Sequence, residues 1–254
     1  AKSAEAALVS IDPNNGLVRA WVGGRNFSKS QFDRVRQAKR QVGSTIKPFL
    51  YLTALDPGLN QYRVANPTSI LSDEPVAVEL VTRDSWIPEN YDKKFRGDVT
   101  LREAFEKSLN LPAVSVLQKV GVPALVRTAR LFRLSEEIPA VPALALGAMD
   151  TTPLDLAAAY AALANGGELF SPKTYLSVTD GEDEIALFRA PDPVSVADPA
   201  AVYVLTNLMQ GVLERGTGRA VRRLGFTHPA AGKTGSSSNT RDAWFGGFTP
   251  ELAT

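Results

Sequence analysis

The sequence reads as an α+β chain on three observations: strand patterns at its beginning, strand patterns at its end, and helical patterns between them. Ala6-Ala7-Leu8-Val9-Ser10-Ile11, the turn residues Asp12-Pro13-Asn14-Asn15-Gly16 and Leu17-Val18-Arg19-Ala20-Trp21-Val22 spell strand, turn, strand. Strands return near residues 230–236 and 243–249. With no internal repeat and no low-complexity tract, this predicts an antiparallel sheet assembled from distant parts of the chain and flanked by helices.

From Ser44 to Leu55 the apolar residues Ile46, Phe49, Leu50, Leu52 and Leu55 fall at mixed three- and four-residue steps, the spacing of a core-packed helix. Pro48 lies too deep in that helix for the first position and is expected to cost a backbone hydrogen bond. Residues 56–98, rich in Pro, Gly, Asn and Asp, predict an extended loop region with a short hairpin around Val76-Ala77-Val78-Glu79-Leu80-Val81. A capping box at Thr100-Leu101-Arg102-Glu103 opens a helix to about Ser108. Pro112 suits the first turn of the next helix, which ends before Gly121 and leaves Leu109-Asn110-Leu111 as the interhelix loop. Two further helices are expected over 153–165, closed by Gly166-Gly167, and over 199–214, closed by Gly216.

The 254 residues are 44% hydrophobic, enough for a substantial core. A net charge of +1, from 28 basic and 27 acidic residues with no long run of one sign, carries no electrostatic footprint for nucleic acid or a membrane surface. Cysteine is absent, which removes disulfides and thiolate chemistry. No stretch approaches the roughly 18 apolar residues of a membrane span, and the start lacks a signal-peptide core, so any anchor or export signal is expected outside these residues. The sole histidine, His228, stands beside Pro229 and reads as a surface loop residue, and no Gly-x-Ser-x-Gly elbow surrounds any serine, which argues against a Ser-His-Asp hydrolase. One histidine, no cysteine and no phosphate-binding Gly-x-x-x-x-Gly-Lys loop leave nothing with the spacing for metal or nucleotide chemistry. Gly216-Thr217-Gly218 reads as a turn after a helix.

What remains is serine and lysine chemistry. Ser44 and Lys47, three apart on one helix face, would let an amine take the proton of an attacking hydroxyl. Gly43 precedes Ser44, so that hydroxyl and its backbone N–H would sit at a helix N-terminus, where the dipole stabilises developing negative charge. Ser108-Leu109-Asn110 puts a hydroxyl and a carboxamide two residues apart, able to face one cavity if the backbone there is close to extended. Lys233-Thr234-Gly235 lies on an expected strand, where Gly235 would admit a close approach by substrate to the sheet edge. Ser-x-x-Lys, Ser-x-Asn and Lys-Thr-Gly in this order form one set known from penicillin-interacting serine enzymes, here with Leu109 where the middle motif often has Asp. A second Ser-x-Asn match, Ser237-Ser238-Asn239, reads as a turn.

The surrounding text strengthens the set. Gln41-Val42-Gly43-Ser44-Thr45-Ile46-Lys47-Pro48-Phe49 resembles the nucleophile helix of the class A (bifunctional) penicillin-binding proteins, proline included, and Trp86-Ile87-Pro88-Glu89-Asn90-Tyr91 resembles the stretch before their second motif. Leu146-Gly147, Thr152-Pro153-Leu154, Ala159-Tyr160, Ala164-Asn165-Gly166-Gly167, Arg215-Gly216-Thr217-Gly218 and Asp242-Ala243-Trp244-Phe245 extend the resemblance over nearly the whole chain. It implies a transpeptidase fold shared with serine β-lactamases, with sheet parts at about 1–43 and 168–254, an all-helical part at about 44–167, and a final strand and C-terminal helix beyond Thr254. It implies that Ser44 attacks the penultimate D-alanine carbonyl of a peptidoglycan stem peptide, with Lys47 as general base, Lys233 lowering the affinity of Lys47 for its proton, and Ser108 relaying a proton to the leaving amine. The N–H groups of Ser44 and Ser236 would form the oxyanion hole, while Asn110, Thr234, Gly235 and Ser236 hold substrate. Ser236 stands where the family usually has Thr, a change that keeps the hydroxyl.

The resemblance further implies acylation by β-lactams, no cofactor, an extracytoplasmic location, an upstream glycosyltransferase domain and a membrane anchor outside this chain. The alternatives are a serine β-lactamase, which needs a Glu-containing loop that Glu136-Glu137-Ile138-Pro139 matches poorly, a D,D-carboxypeptidase, and a non-catalytic β-lactam sensor, which loss of Lys47 or Lys233 would mark.

Overall fold

The computed structural model describes residues 4–79, 85–181, 183–187, 192–236 and 242–254, without the side chains of 183–187. Leu80 and Val81 of the expected hairpin, and Ser237-Ser238-Asn239, lie outside the described residues. In chain order the elements that build the site are strands β1 (Leu8–Ile11) and β2 (Val18–Val22), helix α1 (Lys47–Leu55), strands β3 (Ile70–Asp73) and β4 (Gly97–Thr100), helices α2 (Leu101–Glu106), α3 (Asn110–Val120), α4 (Val122–Leu131), α5 (Pro153–Ala164) and α6 (Pro199–Glu214), and strands β5 (Ala231–Ser236) and β6 (Ala243–Phe248).

The expected sheet from both ends of the chain is present. β1 pairs antiparallel with β2, and β5 with β6 from Ala231↔Phe248 to Ser236↔Ala243. The last residues join the two hairpins. Ile11 and Ala253 exchange backbone hydrogen bonds of 2.8 and 2.9 Å, and Gly247 and Thr254 exchange two of 2.8 Å. Leu252–Thr254 thus lies between β1 and β6, and one antiparallel layer runs through both ends of the chain.

Helix α1 is the centre of the other layer. All nine of its residues are buried, the property of a helix that is apolar on every side. It packs on α3, α4 and α6. Phe49 meets Phe132 and Tyr160 edge-on at 5.0 and 5.8 Å, and Tyr51 meets Phe105 at 5.0 Å. Burial of each such side chain is worth about 1.5–3 kcal/mol, which anchors the motif at the N-terminal end of α1. The helix starts follow local chemistry: Thr100 Oγ1 accepts from Glu103 N, Thr152 Oγ1 from Asp155 N, and Asp198 Oδ1 from Ala200 N, each at 3.1 Å.

Two expectations need correction. Pro48 is not deep in a helix: Gly43–Ile46 forms a 3-10 turn and α1 proper begins at Lys47, so Pro48 sits in the first α-helical turn, where a missing N–H costs little. Asn110 does not lie in the interhelix loop. It is the first residue of α3, and the connection from α2 is only Lys107–Leu109.

Tyr51 supplies a test of this core. Its hydroxyl is fully buried and, among the described residues, is the one buried side-chain polar atom without a hydrogen-bond partner. Tyr51→Phe should therefore raise stability by about 1 kcal/mol, since the variant no longer buries an unsatisfied donor. A denaturant melt showing a comparable loss would mean the hydroxyl has a partner.

Candidate active site

Three segments converge on one open cleft of about 590 Å³, which Ser44, Ser108, Asn110, Thr234, Gly235 and Ser236 all help to line. Every site residue expected from the sequence is in or directly beneath it.

Ser44 is the second residue of the 3-10 turn that feeds α1, and two close approaches set its place. Gly43 has φ +54°, a left-handed conformation, and a Cβ there would run into the Ser236 carbonyl while lying 3.2 Å from Ser236 N. A Cβ on Gly235 would sit 2.7 Å from Thr45 Cγ2 and 2.9 Å from Val42 O. Gly235 lines the cleft as expected, and its bare backbone also lets β5 press against the 3-10 turn that carries Ser44. From the other side the Tyr160 hydroxyl of α5 donates to Thr45 O at 3.0 Å, and Trp244 Nε1 of β6 donates to Gln41 O at 3.0 Å.

Ser108 departs from the extended backbone its motif suggested. Its φ is 57°, left-handed in a residue with a Cβ, a conformation that costs about 1–2 kcal/mol. Leu109 is extended and Asn110 opens α3. This bend, rather than strand-like alternation, turns the Ser108 hydroxyl and the Asn110 carboxamide to the same side.

The two lysines lie under the cleft floor with no accessible surface. Lys47 Nζ donates to Ser108 O at 2.8 Å, Leu109 O at 3.0 Å and Asn110 Oδ1 at 2.8 Å, and stands 3.4 Å from Ser108 Oγ. Lys233 Nζ donates to Ser108 Oγ at 2.8 Å and Thr234 O at 2.9 Å. One hydroxyl bridges both amines. Burial, reinforced by the neighbouring Lys233 charge, holds the Lys47 amine well below the ordinary lysine range; burial alone draws Lys233 down to about 7. Among the described residues neither lysine forms an ion pair, so their partners are neutral dipoles. Ser44 Oγ has no hydrogen-bond partner among those residues and faces the cleft, without the direct bond to Lys47 that the motif suggests.

A second chain of contacts holds Asn110. Its Nδ2 donates to Glu89 O at 2.7 Å, leaving Oδ1 toward Lys47. Its backbone N–H donates to Asn90 Oδ1 at 2.8 Å, and Asn90 Nδ2 donates to Asp73 Oδ1 of β3 at 2.6 Å and to Lys94 O at 2.8 Å. Arg96 Nη1 lies 3.4 Å from Asp73 Oδ2. Leu109, at the N-cap of α3, offers no side-chain cap, so Asn90 satisfies that helix end from a distant segment. Asn90 and Asp73 support the site although motif reasoning gave neither a role; Asn90 falls in the Trp86–Tyr91 resemblance, whereas nothing in the sequence marks Asp73.

The family model described as penicillin binding protein transpeptidase domain matches residues 6–253. The chain belongs to that family. It is 36% identical over 270 residues to penicillin-binding protein 1A of Rickettsia prowazekii, covering 97% of this chain and 33% of that protein. It is 37% identical over 258 residues to penicillin-binding protein 1A of Neisseria meningitidis, covering 98% and 32%. Among solved structures, penicillin-binding protein 1A from Haemophilus influenzae superposes with a TM-score of 0.91 at 26% identity, covering 98% of this chain and 42% of that one. PonA1 from Mycobacterium tuberculosis gives 0.82 at 26%, covering 97% and 66%. The chain thus spans about a third of the length of the curated relatives it matches, and both the class A resemblance and the expected α+β transpeptidase fold are borne out.

Replacing Asn90 tests the support of the site. Asn90→Ala leaves the Asn110 N–H and one oxygen of the buried Asp73 without partners, so stability should fall by about 2–4 kcal/mol, with slower acylation of Ser44. Unchanged stability in a denaturant melt would show that α3 does not depend on this cap.

Proposed function

We propose that this domain is a peptidoglycan D,D-transpeptidase acting through a Ser44 acyl-enzyme. The observation that carries the reading is the Ser108 hydroxyl held between two buried, charge-disfavoured lysines at the floor of the cleft that Ser44 faces. Ser44 Oγ attacks the penultimate D-alanine carbonyl of a stem peptide as its proton passes to Lys47, a role worth about 10²–10⁴ in rate. Contact between Ser44 and Lys47 tightens as substrate fills the cleft, as is usual for general bases. The oxyanion is met by the backbone N–H groups of Ser44 and Ser236, each worth about 10²–10³. The C–N bond then breaks, Ser108 relays a proton to the departing D-alanine amine, and the amine of a neighbouring stem resolves the ester to form the cross-link. Asn110, Thr234, Gly235 and Ser236 line the substrate's place, and no cofactor enters the scheme.

β-Lactams, which present an acyl group to the same serine, are the expected inhibitors. A β-lactamase reading is disfavoured because the one carboxylate lining the cleft among the described residues, Asp92, is held by Arg96 at 2.5 Å rather than free to activate a deacylating water. Retention of both lysines speaks against a passive sensor. The domain extends over 1–254, and the relatives' greater length supports an upstream glycosyltransferase domain and membrane anchor that place it on the extracytoplasmic side of the membrane. Among the described residues no helix is long and apolar enough to cross a membrane.

Given a pentapeptide donor and a stem-peptide amine acceptor, the intact protein should release D-alanine and form dimers, and Ser44→Ala should do neither. D-alanine release by Ser44→Ala would refute the assignment. The pH profile carries a signed prediction. Since the Lys233 charge lowers Lys47, Lys233→Met should move the acid limb of the acylation profile to higher pH while slowing acylation. Because burial is the larger cause, the limb should stay well below the ordinary lysine range. A limb that stays put would mean the two amines do not interact.

A further inference from the structure

Thr217 belongs to the turn after α6, a segment that the sequence marks as a turn and as part of the class A resemblance without a role, yet it lines the cleft. Its Oγ1 stands 2.6 Å from Thr234 Oγ1 of β5. The turn is seated on the end of α2. Thr217 N donates to Glu106 O at 3.2 Å, and the nearly buried Glu106 carboxylate receives Arg215 Nε at 3.1 Å and Nη2 at 2.5 Å. Gly216 packs so closely that a Cβ would strike the Glu106 carbonyl. Glu106 lies two residues before Ser108, so the same anchored segment presents the bridging hydroxyl on one side and Thr217 on the other.

Two hydroxyls at this distance share one proton: one donates, the other accepts. In either orientation a single O–H remains for the cleft. If Thr217 donates, the Thr234 proton is turned outward; if Thr234 donates, the Thr217 proton is. The pair therefore behaves as one oriented donor toward an acceptor in the cleft. The buried Lys233 amine donates to the backbone carbonyl of the same Thr234 at 2.9 Å, which brings a cationic group to that residue. A directed hydroxyl beside a buried amine suits an anion of carboxylate size.

Resting on the transpeptidase reading, we infer that Thr217 is a specificity-determining positioning residue that, paired with Thr234, makes the cleft select acyl donors whose leaving group carries a carboxylate. Without its partner hydroxyl, Thr234 is free to rotate its proton away from the substrate.

The test compares two thioester donors with the same acyl group, one with a carboxylate on the leaving group and one with the corresponding carboxamide, on the intact protein and its Thr217→Val and Thr217→Ser variants. For the carboxylate donor, Thr217→Val should raise KM about tenfold or more, the effect of losing a hydrogen bond to a charged group, with a smaller change in kcat. The carboxamide donor should be nearly unaffected, and Thr217→Ser should restore the carboxylate preference. An equal loss on both donors, which a merely structural role would give, overturns the inference, as does an unchanged carboxylate KM. If Thr217→Val does not fold, Thr217→Ser decides: loss of the preference despite a retained hydroxyl counts against it. Failure of the wild type to be acylated by either donor at Ser44 would instead sink the transpeptidase reading, and this inference with it.

Discussion

Two amines sealed from water against a single hydroxyl are an expensive arrangement, and much of the surrounding structure serves to maintain it. A buried ammonium with no counterion is disfavoured, and a second within reach of the same oxygen adds repulsion. The protein answers with neutral dipoles: three oxygens of the Ser108–Asn110 bend for Lys47, and the Ser108 hydroxyl with the Thr234 carbonyl for Lys233. Partial solvation by fixed carbonyls keeps both side chains in place without stabilising their charge as a carboxylate would. The result is a Lys47 amine held well below the ordinary lysine range by burial and by the neighbouring Lys233 charge, and so more readily free of its proton than a lysine in water.

Holding that arrangement requires three segments far apart in sequence to meet within hydrogen-bond distance. Helix α1 delivers Lys47 because all nine of its residues, most of them apolar, are buried. The left-handed bend at Ser108 is tolerated because α2 is clamped to the α6 turn through Glu106, while α3 is capped from outside by Asn90. Strand β5 delivers Lys233, and the pairing of Ala253 with both Ile11 and Phe248 ties its hairpin to the first strands. The bare backbones of Gly43 and Gly235 are the contact surface between the Ser44 turn and the sheet. The geometry of the cleft and the stability of the fold are therefore carried by the same contacts.

Much of this was legible in the sequence where chemistry is local. Pro153 and Pro199 mark helix starts that the structure reproduces, the strand pairs at both termini lie where alternation and turn residues place them, and the three motifs name the residues that converge. What was not legible depends on contacts between distant segments. Pro48 looked costly because a 3-10 turn ahead of α1 has no distinct spacing signal. The bend at Ser108 has no sequence signal because the left-handed backbone falls on a serine rather than a glycine. The second role of Gly235, its close approach to Thr45, is hidden because Thr45 is remote in sequence. Asn90 and Asp73 act through a helix end whose need for a cap appears only once Asn110 is known to begin α3.

The central claim is that Ser44 is a nucleophile whose ester persists until an amine arrives. Intact mass followed over time after adding a penicillin, with Ser44→Ala alongside, tests this most directly. The wild type should gain one drug-sized increment, located on Ser44, that persists and is missing from the variant. No adduct on folded protein, or an adduct on Ser44→Ala, would contradict the active-site assignment, and an adduct that forms and then clears as the drug is hydrolysed would make the protein a β-lactamase instead.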